Sequence, residues 1–198
     1  MTSAVIEYFL APQSPYCYLG HARVAAIAKK HGARIHLKPM DLGAKVFPQS
    51  GGLPLNKRPE QRQSYRFFEL KRWSEFLQLP FNLQPKFFPV SGDLAARMTL
   101  AAPSDEAGFN FAGAVLKAVW ADELNAADES VLITLANELG LDGQAMADLS
   151  PQMQGQYDLY TQQAIDAKVF GAPWFVLNGE PFWGQDRLDF LDRALDKK

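Results

Sequence analysis

The stretch Ser14-Pro15-Tyr16-Cys17 follows an apolar run, Val5 to Leu10, and opens directly into a helical pattern. Two cysteines at this spacing on a strand-to-helix turn would make a dithiol redox pair. Here serine holds the first position, and Cys17 is the only cysteine in the chain. Dithiol exchange within the chain is therefore excluded. A serine hydroxyl at a helix N-terminus caps the helix, and Ser followed by Pro is a common helix start. The same place offers unpaired N–H groups and the positive end of the helix dipole, which together favour an anion. Cys17, one turn in, reads as a small buried hydrophobe, with a reactive thiol as the sharper alternative.

Other residues form candidate groups. Tyr65, Glu69 and Arg72 share one helix face, close in sequence to Lys57 and Arg58. That face is either a surface ion-pair cluster or a cation held for a carboxylate, which arginine grips with two parallel hydrogen bonds. Phe87, Phe88 and Trp120 can wall a pocket for a planar ring or simply pack a core. Ala172-Pro173 opens a strand, and Gln185-Asp186 opens the last helix with an acid at its N-terminus. His21, His31 and His36 all lie near the first helix and suggest no metal site.

The elements that must position these groups are legible in outline. Val5 to Leu10 carries one charge, Glu7, and reads as a strand buried on both faces. Leu19, Ala22, Ala26 and Ile27 recur at helical spacing until Gly32 ends the helix. Ile35, Leu37 and Pro39 indicate a second strand, completing a βαβ unit. Residues 47–58, with Pro48, Gly51, Gly52 and Pro54, read as a loop. A helix over 59–77 follows, then the proline-punctuated LPFNLQPKFFPV. From Gly92 to about Ala167 the pattern is helical, with breaks near Pro103-Ser104, Asn125 to Asp128 and Leu141 to Gly143. Strands return at Trp174 to Leu177 and Pro181 to Trp183 around Asn178-Gly179, a strong hairpin signal. A last helix spans 185–195.

The order β-α-β, helical block, β-β-α predicts an α/β chain of thioredoxin-like fold with a large helical insertion. Residues 1–45 and 168–198 make the thioredoxin-like domain and 46–167 the inserted helical domain. With 198 residues, 47% hydrophobic composition and a net charge of -2, the chain can bury a full core and presents no basic face for nucleic acid. No apolar stretch reaches membrane-spanning length, and neither a secretory leader nor a disulfide framework is visible. A cytoplasmic protein is expected.

The chain resembles the 2-hydroxychromene-2-carboxylate isomerases, relatives of kappa-class glutathione transferases and of periplasmic disulfide oxidoreductases. The resemblance runs through Ser14-Pro15-Tyr16, Pro39-Met40-x-Leu42-Gly43, Tyr65-x3-Glu69-x2-Arg72-Trp73, and Pro85 to Pro89. It continues through Ala118-Val119-Trp120 and Val169 to Pro173, and ends with Phe182 to Leu188. One departure is Ser50-Gly51-Gly52, which stands where the family has Thr-Gly-Asn and so lacks the asparagine side chain.

The resemblance implies glutathione as cofactor and a small aromatic substrate, a 2-hydroxychromene-2-carboxylate or similar arylidene pyruvate. It also implies a homodimer. The implied mechanism adds the glutathione thiolate to the conjugated alkene, lets the resulting single bond rotate, and eliminates the thiolate again. The implied glutathione-binding residues are Ser14, Tyr16, Ala172, Pro173, Gln185 and Asp186, with Ser14 catalytic through a hydrogen bond to the sulfur. A cis peptide at Ala172-Pro173 is implied too, leaving the Ala172 backbone free to pair with the cysteinyl part of glutathione. Lys57, Tyr65, Arg72, Phe88 and Trp120 are the implied substrate contacts, with Arg72 on the carboxylate. A thiol pKa near ~8.5 leaves only a few per cent as thiolate at neutral pH, and lowering it by ~2 units takes about 2.7 kcal/mol. Two other readings stand beside this one. The first is a kappa-like glutathione transferase or peroxidase, and the second a non-catalytic thioredoxin-fold binding protein.

Overall fold

A computed structural model describes residues 3–196 of the chain. Its centre is β1 (Val5–Leu10), which pairs in parallel with β2 (Arg34–Pro39) and antiparallel with β3 (Trp174–Leu177). β3 turns back through Asn178-Gly179 to β4 (Glu180–Trp183), giving the order β2-β1-β3-β4. Asn178 and Gly179 have φ of 51° and 85°, the positive values that a two-residue hairpin with the right twist requires. β1 is an inner strand, and Ile6, Tyr8, Phe9 and Leu10 are buried, which explains its near-continuous apolar run.

Helix α1 (Pro15–His31) joins β1 to β2, starting at the Ser14 cap and ending at Gly32 with φ 58°. The helical segment then supplies α2 (Phe47–Ser50), α3 (Glu60–Phe76), α4 (Asp93–Leu100) and α5 (Asp105–Trp120). It continues with α6 (Glu129–Glu138), α7 (Gly143–Leu149) and α8 (Gln154–Asp166), and α9 (Leu188–Asp196) follows the hairpin. The expected breaks are helix caps. Ser104, Asp128 and Asp142 accept from the amides of Ala107, Ser130 and Ala145 at 3.1, 2.9 and 2.9 Å.

One expectation needs correction. Residues 47–58 are not a plain loop: α2 follows a π-helical turn at Leu42–Val46, and a 3₁₀ turn occupies Leu55–Lys57. Asp41 caps the first turn by accepting from the Ala44 amide at 2.8 Å. Pro48 lies in the first turn of α2, where a missing N–H costs nothing. The glycines and prolines that signalled a loop keep each piece short.

Two hydrophobic clusters hold the chain. One surrounds the sheet, and the other lies among the helices. Helix α5 belongs to both: Ala112 and Leu116 pack on the sheet side, while Phe111, Val115 and Trp120 face the helical cluster. The Trp120 indole N–H donates to the Gln13 carbonyl at 3.2 Å, so the helical cluster fixes the turn just before Ser14. Among the described residues, no helix is long and apolar enough to cross a membrane.

Candidate functional site

The α1 N-terminus opens into a cavity of about 580 Å³, the size of a small-molecule site. Its walls come from separate parts of the chain: Ser14 to Tyr16, residues 50–55, the start of α3, Phe88 to Val90, and Phe170 to Ala172. The Ser50-Gly51-Gly52 stretch therefore faces the cavity.

Ser14 has extended backbone angles and its Oγ accepts from the Cys17 amide at 3.3 Å. The Ala11 backbone and the Ser14 and Tyr8 hydroxyls lie beside the Cys17 thiol. Ser14 itself lines the cavity, so its hydroxyl stands where the α1 N-terminus meets it. Cys17 is the opposite: fully buried, with its thiol pKa pushed up to about 11 by burial. It is a protonated core residue, as the blander reading had it, and not a nucleophile.

Across the cavity, the Ala172-Pro173 peptide is cis. Ala172 lines the cavity, and its backbone N–H and C=O make no hydrogen bond among the described residues. Pro173 lies beyond, its carbonyl accepting from the Gly184 amide at 2.9 Å, which ties this turn to the end of β4. A free N–H and C=O beside an extended segment can pair with a bound peptide as an added strand does. Phe170 and Trp183, edge to face at 4.6 Å, form a half-exposed aromatic lip. Glycine at 171 allows this closeness, because a Cβ there would run into the Trp183 indole.

The cations differ from those chosen in the sequence. Arg72 is exposed and pairs with Glu69 at 2.9 Å, and its guanidinium lies 5.9 Å from the Tyr65 ring. Tyr65 is itself exposed, as is Lys57, and none of the three lines the cavity. This face of α3 points to solvent and carries the ion pair, which leaves Arg72 away from the cavity.

Arg58, Arg62 and Arg66 line the cavity instead. Arg62 and Arg66 fall four residues apart on α3, the spacing that puts side chains on one helix face, and Arg58 lies in the extended stretch just before it. That repeat was the signal available in the sequence. Only Arg58 was singled out there, as a neighbour of Lys57.

Tyr16 and Phe88 line the cavity as expected. Burial raises the Tyr16 phenol pKa, Arg66 and Arg58 oppose that, and Glu69 and Asp186 add to it. Trp120 does not line the cavity. It is fully buried beneath Phe88, with ring centroids 4.6 Å apart, and supports the wall from behind. Gln185 is buried and accepts from Arg23 through its side chain at 2.6 Å and its backbone at 2.8 Å. Asp186 pairs with Arg187 at 2.7 Å. Neither lines the cavity directly, although the Asp186 charge reaches Tyr16. Away from the cavity, His31, Asp192 and Asp196 gather at the surface. Lys30 takes both oxygens of Asp192 at 2.9 Å there, which makes the group an ion-pair cluster.

A family model described as a DSBA-like thioredoxin domain matches residues 5–196. A 2-hydroxychromene-2-carboxylate isomerase from Sphingobium xenophagum is 29% identical over 193 residues, covering 96% of this chain and 97% of that protein. Its namesake from Pseudomonas putida is 28% identical over 206 residues, covering 98% and 95%. A solved 2-hydroxychromene-2-carboxylate isomerase superposes with a TM-score of 0.80 at 25% identity, covering 98% of this chain and 95% of that one. The cytosolic disulfide reductase DsbM from Pseudomonas aeruginosa, solved with GSH, has the same fold, with a TM-score of 0.68 at 20% identity over 97% and 94% of the two chains. The strand order, the capped turn after β1 and the family match over residues 5–196 agree, and the chain belongs to the DSBA-like thioredoxin domain family.

Proposed function

We propose that the protein is a glutathione-dependent isomerase of a 2-hydroxychromene-2-carboxylate or a similar arylidene pyruvate. The observation that carries this reading is the Ser14 hydroxyl at the start of α1, in a cavity shared with the unpaired Ala172 backbone. These residues fit a thiol-bearing peptide. Ala172 can pair with its backbone, and Ser14 with the α1 amides can receive its sulfur as an anion. Bound glutathione would supply a thiolate nucleophile. Tyr16 adds a phenol to the same wall, and the nearby Asp186 charge, which reaches Tyr16, can meet an ammonium end. Phe88 and the Phe170–Trp183 lip give an apolar surface on which an arene can lie.

The relatives named as isomerases are similar over nearly the whole chain, which supports the isomerase over the transferase reading. Lack of a second cysteine weighs against dithiol exchange. The deciding experiment is isomerisation of an arylidene pyruvate by purified protein with and without glutathione. Turnover only with glutathione is expected. Turnover that ignores glutathione, or reaction of glutathione with an aryl halide and no isomerisation, refutes the proposal.

A further inference from the structure

Arginines 58, 62 and 66 have no carboxylate partner within ion-pair distance among the described residues, although the chain pairs many of its other charges. Arg66 is the sharper anomaly. It is 7% exposed, and its Nη2 is buried without a hydrogen-bond acceptor. Its guanidinium lies over Phe88 and Trp120, at 5.4 and 5.5 Å from the ring centroids. Those two ring centroids are only 4.6 Å apart, so both rings pack on one side of the guanidinium, and Nη2 is left for an acceptor. Arg58 is half-buried and anchored by its Nε–H, which donates to the Leu53 carbonyl at 2.8 Å; its terminal nitrogens remain. Arg62, one helical turn before Arg66 on α3, lines the cavity and is exposed.

Like charges gathered at a buried wall oppose one another. Burial lowers the pKa of both Arg58 and Arg66, and a neighbouring arginine lowers each further. Arginine does not escape this by losing its proton. A wall of this kind is balanced when an anion enters. One carboxylate engages one guanidinium in a two-bond fork. The second arginine calls for another negative oxygen close by.

We propose that Arg66 and Arg58 form a clamp for the carboxylate and the adjacent carbonyl oxygen of a 2-oxo acid. The clamp rests on the isomerase reading above and names the part of the substrate that these residues take. A 2-oxo acid conjugated to an alkene begins with one negative charge, on the carboxylate. When a nucleophile adds to the far alkene carbon, its lone pair makes the new bond. The alkene pair shifts toward the carbonyl carbon, and the carbonyl pair moves onto oxygen. That oxygen now carries the second charge, next to the first. Loss of the nucleophile returns every pair, and no proton or electron leaves the site. Two arginines therefore match the charge of the adduct better than that of the substrate, as transition-state stabilisation requires. The aryl end extends from the clamp along Phe88.

The test uses unreactive probes: a saturated 4-aryl-2-oxobutanoate and its primary amide, each titrated into the whole protein. Wild type should bind the acid over the amide by roughly tenfold to a hundredfold, the worth of one charge-assisted contact. Arg66→Gln and Arg58→Gln should each lose most of that preference, while affinity for glutathione alone stays unchanged. Arg66→Lys keeps the charge without the fork and should recover part of the preference; it also serves if Arg66→Gln does not fold. Turnover of the arylidene pyruvate should fall more in kcat than in KM for Arg58→Gln. Retention of the acid preference in Arg58→Gln and in the folded Arg66 variants overturns the clamp, and so does loss of glutathione binding in its place. A wild type that prefers the acid but never isomerises with glutathione supports the clamp and refutes the isomerase reading.

Discussion

Replacing Ser14 by alanine separates the cap from the chemistry. The cap itself is modest: the Cys17 amide loses an acceptor at 3.3 Å, a change of about 1 kcal/mol. The fold should survive, because Ala11 still accepts from the residue-14 amide at 2.9 Å and the Trp120 indole still holds Gln13. Glutathione should still bind, since the Ala172 backbone is untouched. The sulfur, however, loses one donor. A hydrogen bond to a charged group is worth ~1.5–3 kcal/mol, which corresponds to about one to two pKa units. The donor stabilises the thiolate, so its removal raises the bound thiol's pKa and cuts the thiolate fraction at neutral pH. Turnover there should fall roughly ten- to a thousandfold, the range for losing one charge-stabilising donor. Part of the loss should return as pH rises through the new pKa. The assay is thiolate absorbance against pH for the glutathione complex of each protein. Cys17 does not confuse it at neutral pH, because its own thiol titrates near about 11. Coincident curves for wild type and Ser14→Ala would mean that Ser14 is only a cap.

Arg72→Ala should leave activity and unfolding within about twofold of wild type, because Arg72 is an exposed partner of Glu69 and Tyr65 on the solvent face of α3; a large loss of turnover would return Arg72 to the site. Ser14→Cys places a thiol on the helix N-terminus beside Cys17, and mild oxidant should then remove two hydrogens by mass, with isomerase activity lost and thiol–disulfide activity gained; an unchanged mass refutes the inferred turn geometry. His21 is buried, donates through Nε2 to the Phe109 carbonyl at 2.9 Å, and has its pKa lowered to about 4 by burial. The unfolded chain therefore binds more protons below pH ~6.5, so stability is full above that value and falls by up to ~3 kcal/mol as pH drops to about 4. Denaturant melts of wild type and His21→Gln across this window should show the slope only in wild type.

The fold was legible because its signals are local. β1 announced itself by an apolar run, α1 by Ser-Pro and Gly32, and the hairpin by Asn178-Gly179. The breaks of the helical segment were visible because Ser104, Asp128 and Asp142 are capping residue types at those points. The site was legible only where one short motif makes it. Ser14 and Ala172 come to one cavity, but which face of α3 turns toward them depends on packing that the helix sequence does not state. Arg72 and Arg66 lie within two turns of each other on one helix, and both neighbour aromatic residues. What separates them is Trp120, more than forty positions away, whose burial beneath Phe88 brings the Arg66 side inward. The same reason left Trp120 open between pocket wall and core. An aromatic that supports a wall and one that forms its surface look alike in sequence.

The Ser14–Cys17 pair is best understood through the direction of its hydrogen bonds. In a dithiol turn the first sulfur is the exposed nucleophile and the second, one turn in, attacks it later. Here the inner thiol is buried, with its pKa pushed up to about 11, and without a partner cysteine it has no exchange to make. The Cys17 amide still donates to the Ser14 oxygen at 3.3 Å, which holds that hydroxyl where α1 meets the cavity. The anion-favouring end of α1 is unchanged by the exchange of cysteine for serine, because it belongs to the backbone. An exposed sulfur held there must now arrive from outside. The turn therefore keeps the electrostatics of a redox centre while losing the capacity for redox exchange, and catalysis by an added thiolate that leaves unchanged is the chemistry those two facts permit.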